Sequence, residues 1–294
     1  MKSRSFHRKL PTITTVAIKL HTAVTYQGAK VRLAAAILDK IDLKLPLWDL
    51  CCGSGAVSIE AVNRGVSPSD IVMVDSGVWG EFWQSVGRGT FSLRDFERTL
   101  RLLPEDVTRV QGVLERLARE APRQEDRVYV YLLLQAGAFG GKQIWIDKGK
   151  WCNCSFRSYW TPTETSSRRY PVNPMMPMPD ELLRRVAALV ESMRGVKAQC
   201  CDVRSLAAIP DGTAYLDPPY AGLTGYADGF DVVSLASALS VPCYVSEAVP
   251  LSPINWQLSG PRRQGGISGG RRNAHAEFLS FFPNKDLTLG CYPL

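Results

Sequence analysis

Residues Leu47 to Ile59 read as strand, tight turn and helix in one unbroken stretch, and this constrains the fold more than any other part of the chain. An apolar run ends in Asp49, the turn Gly53-Ser54-Gly55 follows, and a helical stretch continues from Val57 to Asn63. Glycine reaches positive φ without a Cβ clash, so Gly53 and Gly55 let a ligand come close to the backbone. A helix starting there aims free N–H groups at that ligand. A dinucleotide fingerprint would carry a third glycine, but Ser58 occupies that position. The acid before the turn, Asp49, shifts the reading from a phosphate cradle to a ligand with a positively charged amino group.

Two further strands end in acids. Asp70 to Asp75 is apolar between its ends, and Asp75 lies about twenty residues past the glycine turn, where a nucleotide-binding α/β unit sets a carboxylate against ribose hydroxyls. Thr213 to Leu216 runs into Asp217-Pro218-Pro219-Tyr220. Neither proline can donate to a ladder, so the chain must turn there. One carboxylate, a run of carbonyls and one ring are thereby left at the carboxyl end of a strand, where open α/β sheets bind ligands. That set suits a planar base bearing an exocyclic amine. Asp202 follows the strand-like Val196 to Cys201; it either receives an adenine amino group or begins a turn.

Strand and helix alternate along the rest of the chain, which argues for an α/β sandwich. Helices are expected over Lys30 to Lys40, Ser92 to Leu103 and Glu105 to Glu120, and from Asp180, as its cap, to about Met193. Val241 to Val245 and Phe278 to Phe282 supply further strands. Trp160 to Pro179 is rich in Pro, Ser, Thr and Met and reads as a long functional or mobile loop.

The chain has 294 residues and a formal net charge of +7, which favours a polyanionic partner. No apolar run approaches a membrane span. The N-terminus is basic (Lys2, Arg4, Arg8, Lys9) without an apolar core for export. Eight cysteines occur without a Cys-x-x-Cys pair. Five of them (Cys51, Cys52, Cys200, Cys201, Cys243) fall in expected core strands, as thiols in a reducing compartment would. No metal site is expected, even at the close pair Cys152 and Cys154.

Asp49-x-x-x-Gly53-x-Gly55 followed by Asp217-Pro218-Pro219-Tyr220 resembles the adenine-N6 DNA methyltransferases that use S-adenosylmethionine. The order of parts resembles the Dam-type group in particular. Tyr26-Gln27-Gly28-Ala29-Lys30 is similar to that family's first cofactor-binding motif. Leu134 to Lys142 and Lys148 to Asn153 are similar to degenerate forms of its Asn-Arg-x-x-Phe-Asn-Gly and Gly-x-Phe-Asn segments. Gly270-Arg271-Arg272 with Glu277-Phe278-Leu279 resembles its closing strand. Gln135-Ala136 and Gly140 depart from the family's residues in a segment that helps read DNA.

The resemblance implies a Rossmann-like methyltransferase sandwich built from residues 1–76 and 179–294, with an inserted, mainly helical DNA-recognition region at 77–178. It implies S-adenosylmethionine held by Tyr26, Gly28, Lys30, Asp49, Cys51, Gly53, Gly55 and Asp75, with Asp202 on the cofactor's adenine. Asp217, Pro218, Pro219 and Tyr220 would be catalytic, and Lys142, Lys150, Arg157 and Arg271 would contact duplex DNA around a flipped adenine. A cytoplasmic location in a bacterial or phage-infected host cell is expected. The insertion's arginines and lysines alternate with Trp79, Phe82, Trp83, Trp145, Trp151, Phe156, Tyr159 and Trp160. These rings either stack on bases or form the core of a small subdomain. Cytosine's amine, adenine in RNA, and a non-catalytic DNA-binding protein of the same fold stay open as alternatives.

Overall fold

The structure, a computed structural model, describes residues 19–173, 176–206, 208–218, 231–260, 263–265, 271–273 and 276–283. In chain order the first half holds α1 (Ala34–Leu38), β1 (Leu47–Leu50), α2 (Ala56–Asn63), β2 (Ile71–Asp75), α3 (Val78–Gly87), α4 (Leu93–Leu100), α5 (Val110–Arg119) and α6 (Arg127–Gly137). A hairpin of β3 (Trp145–Asp147) and β4 (Lys150–Cys152) follows, then α7 (Pro179–Ser192), β5 (Lys197–Cys200), β6 (Thr213–Leu216), α8 (Val232–Ala238) and β7 (Cys243–Glu247). The last elements are β8 (Asn255–Ser259), the short pair β9 (Arg263–Gly265) and β10 (Arg271–Asn273), and β11 (Glu277–Phe282).

Seven strands form one sheet in the order β5-β2-β1-β6-β7-β11-β8. The first five are parallel; β11 runs antiparallel between β7 and β8. Strands laid down successively to one side of β1 and then to the other make a doubly wound sheet, compatible with a Rossmann-like fold, and its switch point lies between β1 and β6.

Period-two alternation decides what each face carries. Leu47, Ile71, Met73, Tyr215, Leu279 and Phe281 point into the larger core, which α1 to α7 cover. Leu50, Val72, Val74, Ala214, Leu216, Val245 and Phe282 point into a smaller core closed by α8 and by Val203 and Ile209.

Most of the expected elements form, with shifted ends. The helix expected over Glu105 to Glu120 breaks into a 3-10 turn at Val107–Arg109, capped by the Asp106 side chain, and α5. Asp180 does not cap α7. Met178 is the N-cap and Pro179 takes the first helical position, so Asp180 sits inside the first turn, where a carboxylate still opposes the helix dipole. The helix α3, within 77–178, packs on β2 and β5, and α6 packs on α3, α4 and α5. Of the five cysteines expected in core strands, Cys52 and Cys243 are buried and Cys51, Cys200 and Cys201 are half-buried. No helix among the described residues is long and apolar enough to cross a membrane.

Candidate functional site

A cavity of about 600 Å3 opens at the switch point. Tyr26, Gly28, Lys30, Asp49, Cys51, Gly53, Asp75, Asp202, Asp217 and Pro218 line it. Five segments far apart in sequence thus converge, and alternation explains why the acids of the strands do. Asp49, Asp75 and Asp217 each sit an even number of residues from Leu47, Met73 and Tyr215, so they share the face of the larger core at the carboxyl ends of β1, β2 and β6.

The glycine turn is held from both sides. The Gly53 N–H donates to Asp75 Oδ2 at 2.9 Å, and its carbonyl accepts from Trp83 Nε1 at 2.9 Å. With φ at 48°, a Cβ on Gly53 would lie 2.9 Å from the Tyr26 ring. Gly55 does not line the cavity. Its φ is 75°, and a Cβ there would strike Trp83 Cζ2 at 2.5 Å and Met73 Cε at 2.7 Å. Close packing under the turn is therefore what requires glycine at 55. Cys51 also has positive φ, at 60°.

The three acids have different partners. Asp49 is 2% exposed and accepts from Ser58 N–H at 3.2 Å and Ser58 Oγ at 2.6 Å. Burial pushes its carboxyl up to about 7, with Ser58 lowering it and Asp217 raising it further. Asp75 accepts from Gly53 and from the Gly77 N–H at 2.8 Å; burial raises its carboxyl, and these two N–H groups pull it partway back. Asp217 accepts from Lys30 Nζ at 2.6 Å. Burial raises Asp217 as well, and the Lys30 ammonium lowers it. Lys30 is 6% exposed and also donates to the Gly28 carbonyl at 3.0 Å.

Asp202, also on the cavity lining, is 41% exposed and caps the 3-10 turn Val203–Ser205 by accepting from Arg204 N–H. Its hydrogen-bonded ion pair with Arg204 holds its carboxyl below the usual range. Asp202 thus begins a turn and lines the cavity at once. Glu81 and Arg127, which also line the cavity, pair at 2.5 Å. Among the charged residues lining the cavity, three acids therefore face a basic partner, and Asp49 and Asp75 are held by hydrogen bonds from neutral donors. Asp49 and Asp75, both raised by burial, would gain support for their ionised forms from a cationic ligand, and the site suits one that also bears hydroxyl groups. Ser54 Oγ and Gln143 Oε1, both on residues lining the cavity, are buried without a hydrogen-bond partner.

The aromatic residues divide sharply. Trp79, Phe82 and Trp83 are fully buried. Trp79 packs edge-on against Tyr26, Phe82 and Tyr131, with centroids 5.8, 5.7 and 5.5 Å apart. Trp79 lines the cavity, whereas Phe82 and Trp83 fill the core and do not reach it, so base stacking is closed to those two. Trp151, Phe156 and Tyr159 are buried too, whereas Trp160 is exposed.

Gln135, which stands where the sequence departs from the family's residues, is wholly buried. Its side chain donates to the Lys142 carbonyl at 2.9 Å and accepts from Ile144 N–H at 3.0 Å, clamping the loop after α6. That loop in turn accepts Gln27 N–H at the Gly141 carbonyl, 2.7 Å away, which ties it to the Tyr26 turn.

Lys142 and Lys150 are exposed and Arg157 is half-buried. The Arg271 backbone lies in β10. Pro219 and Tyr220 lie outside the described residues. Sequence reasoning did not find Ser58, Glu81, Arg127, Tyr131, Gln143 or Glu277 as parts of the site. Ser58, Glu81 and Tyr131 stand out as polar or aromatic residues inside apolar stretches, and Arg127, Gln143 and Glu277 have no such local signal. Among the described residues no cluster of His, Cys, Asp and Glu could hold a metal ion. No protein-family model matches the chain, and no curated protein matches it.

Proposed function

We propose that this chain is an adenine-N6 DNA methyltransferase that uses S-adenosylmethionine. The observation that carries the reading is the convergence of the Asp49–Gly55 turn and the Asp217-Pro218 step on one acid-rich cavity. Its volume lies within the range of about 300–1,000 Å3 typical of cofactor pockets. The Asp49 and Asp75 carboxylates fit a ligand that is cationic at both its sulfonium and its amino group.

Tyr26, Gly28, Gly53, Asp49 and Asp75 would hold this cofactor. Asp75 keeps lone pairs for ribose hydroxyls, since the bonds from Gly53 and Gly77 use one per oxygen. When bound, S-adenosylmethionine supplies an electrophilic methyl group. The chain's part is to make a poor nucleophile attack. Adenine's exocyclic nitrogen has its lone pair conjugated with the ring. Asp217, through Oδ2, and the Pro218 carbonyl would accept its two N–H bonds and localise that pair. These bonds strengthen as the nitrogen gains positive charge, the condition for lowering the barrier. Asp217, with its raised pKa, then takes the proton that the nitrogen must lose. An adenine in a duplex must be flipped out to reach this depth.

The test is label transfer from methyl-labelled S-adenosylmethionine to duplex DNA or to RNA. The proposal expects label in DNA. Label confined to RNA, or cofactor binding without transfer, would contradict it.

A further inference from the structure

Lys30 lies between two carboxylates. Its Nζ is 2.6 Å from Asp217 Oδ1 and 3.6 Å from Glu277 Oε1, with the acids 19% and 13% exposed. We propose that Glu277 is a positioning residue that draws the Lys30 ammonium away from Asp217 when the acceptor amine enters. This inference rests on the methyl-transfer reading above.

Two features put Glu277 there. It opens β11 on the same face as Leu279 and Phe281, two and four residues on, both packed in the larger core with Tyr215. The register of β11 against β8 also slips between Glu277 and Phe278, where Glu277 faces Ser259 and Phe278 faces Gln257. Such irregularities re-aim side chains beside sites.

The need follows from charge. A closed pair of Lys30 and Asp217 offers an entering N–H almost no net negative charge, and the developing cation on nitrogen would be repelled by Lys30. Attraction falls inversely with distance, so a small movement of Nζ from Asp217 toward Glu277 restores the Asp217 charge without stranding a buried ammonium. Lys30 remains protonated throughout.

The test is a double-mutant cycle on single-turnover methyl transfer to DNA, using the wild type, Glu277→Gln, Lys30→Met and the double variant. Glu277→Gln is expected to slow transfer about tenfold with cofactor affinity kept, and Glu277→Asp to recover part of the rate. In the Lys30→Met background the same change should cost less than about twofold. Equal factors in both backgrounds would overturn the inference and leave the methyl-transfer reading standing, as would loss of cofactor affinity and thermal stability alone. A wild-type protein that transfers no methyl group overturns that reading, and this inference with it.

Discussion

Lys30 Nζ and Asp217 Oδ1 are 2.6 Å apart across 187 residues of chain, so the residue that follows the Tyr26 turn and the acid at the end of β6 form one part-buried ion pair. Removing its cation leaves a buried carboxylate whose ionised form is no longer supported. In Lys30→Met the acid limb of the pH–rate profile should move to higher pH, because burial raises Asp217 and Lys30 now lowers it. A profile that stays in place would show that Asp217 ionisation does not limit the rate.

Asp217→Ala should abolish methyl transfer while calorimetry finds cofactor affinity within a few tenths of a kcal/mol of wild type, as expected of a contact made to the acceptor alone. Transfer at the wild-type rate would remove Asp217 from catalysis.

Gly53→Val tests the turn. The new side chain must adopt a left-handed φ and displace the Tyr26 ring. Such strain costs on the order of 1–3 kcal/mol, and calorimetry should find cofactor binding lost.

Asp49 gives a pH signature with a definite sign. Its carboxyl is raised from 3.8 to about 7, so the folded protein holds this proton more tightly than the unfolded chain does. Stability therefore falls as pH rises from about 4 to 7, and Asp49→Asn should stabilise the protein most above pH 7, by about 1–2 kcal/mol. The ceiling set by the full shift is roughly 4 kcal/mol. The gain should shrink below pH 7 and vanish near pH 4, as read by thermal melts. Cofactor affinity in the wild type should rise with pH through the same window, since a cationic ligand prefers the ionised acid.

The acids of this site are legible in sequence because strand alternation and turn chemistry are local. Asp49, Asp75 and Asp217 each end an apolar run, and a run that ends in an acid declares both strand and edge. Lys30 is different: no local pattern says that its ammonium meets an acid 187 residues later. Trp79, Phe82 and Trp83 read equally well as stacking rings or core, and only the packing of α3 on β2 and β5 decides between them. The role of Gln135 is hidden for the same reason, because its partners lie in a loop whose path the sequence does not reveal.

Gln135→Ala should test that loop. It removes the side-chain partners of the Lys142 carbonyl and the Ile144 N–H, and buried groups left unpaired cost about 1–3 kcal/mol. Denaturant unfolding should register that loss, and DNA affinity should weaken more than cofactor affinity.

The most direct measurement is the identity of the product. Duplex DNA incubated with the protein and S-adenosylmethionine is digested to nucleosides and analysed by mass. The account predicts N6-methyladenine from the wild type and none from Asp217→Ala. N4-methylcytosine as the sole product, or no methylated nucleoside from the wild type, would contradict it.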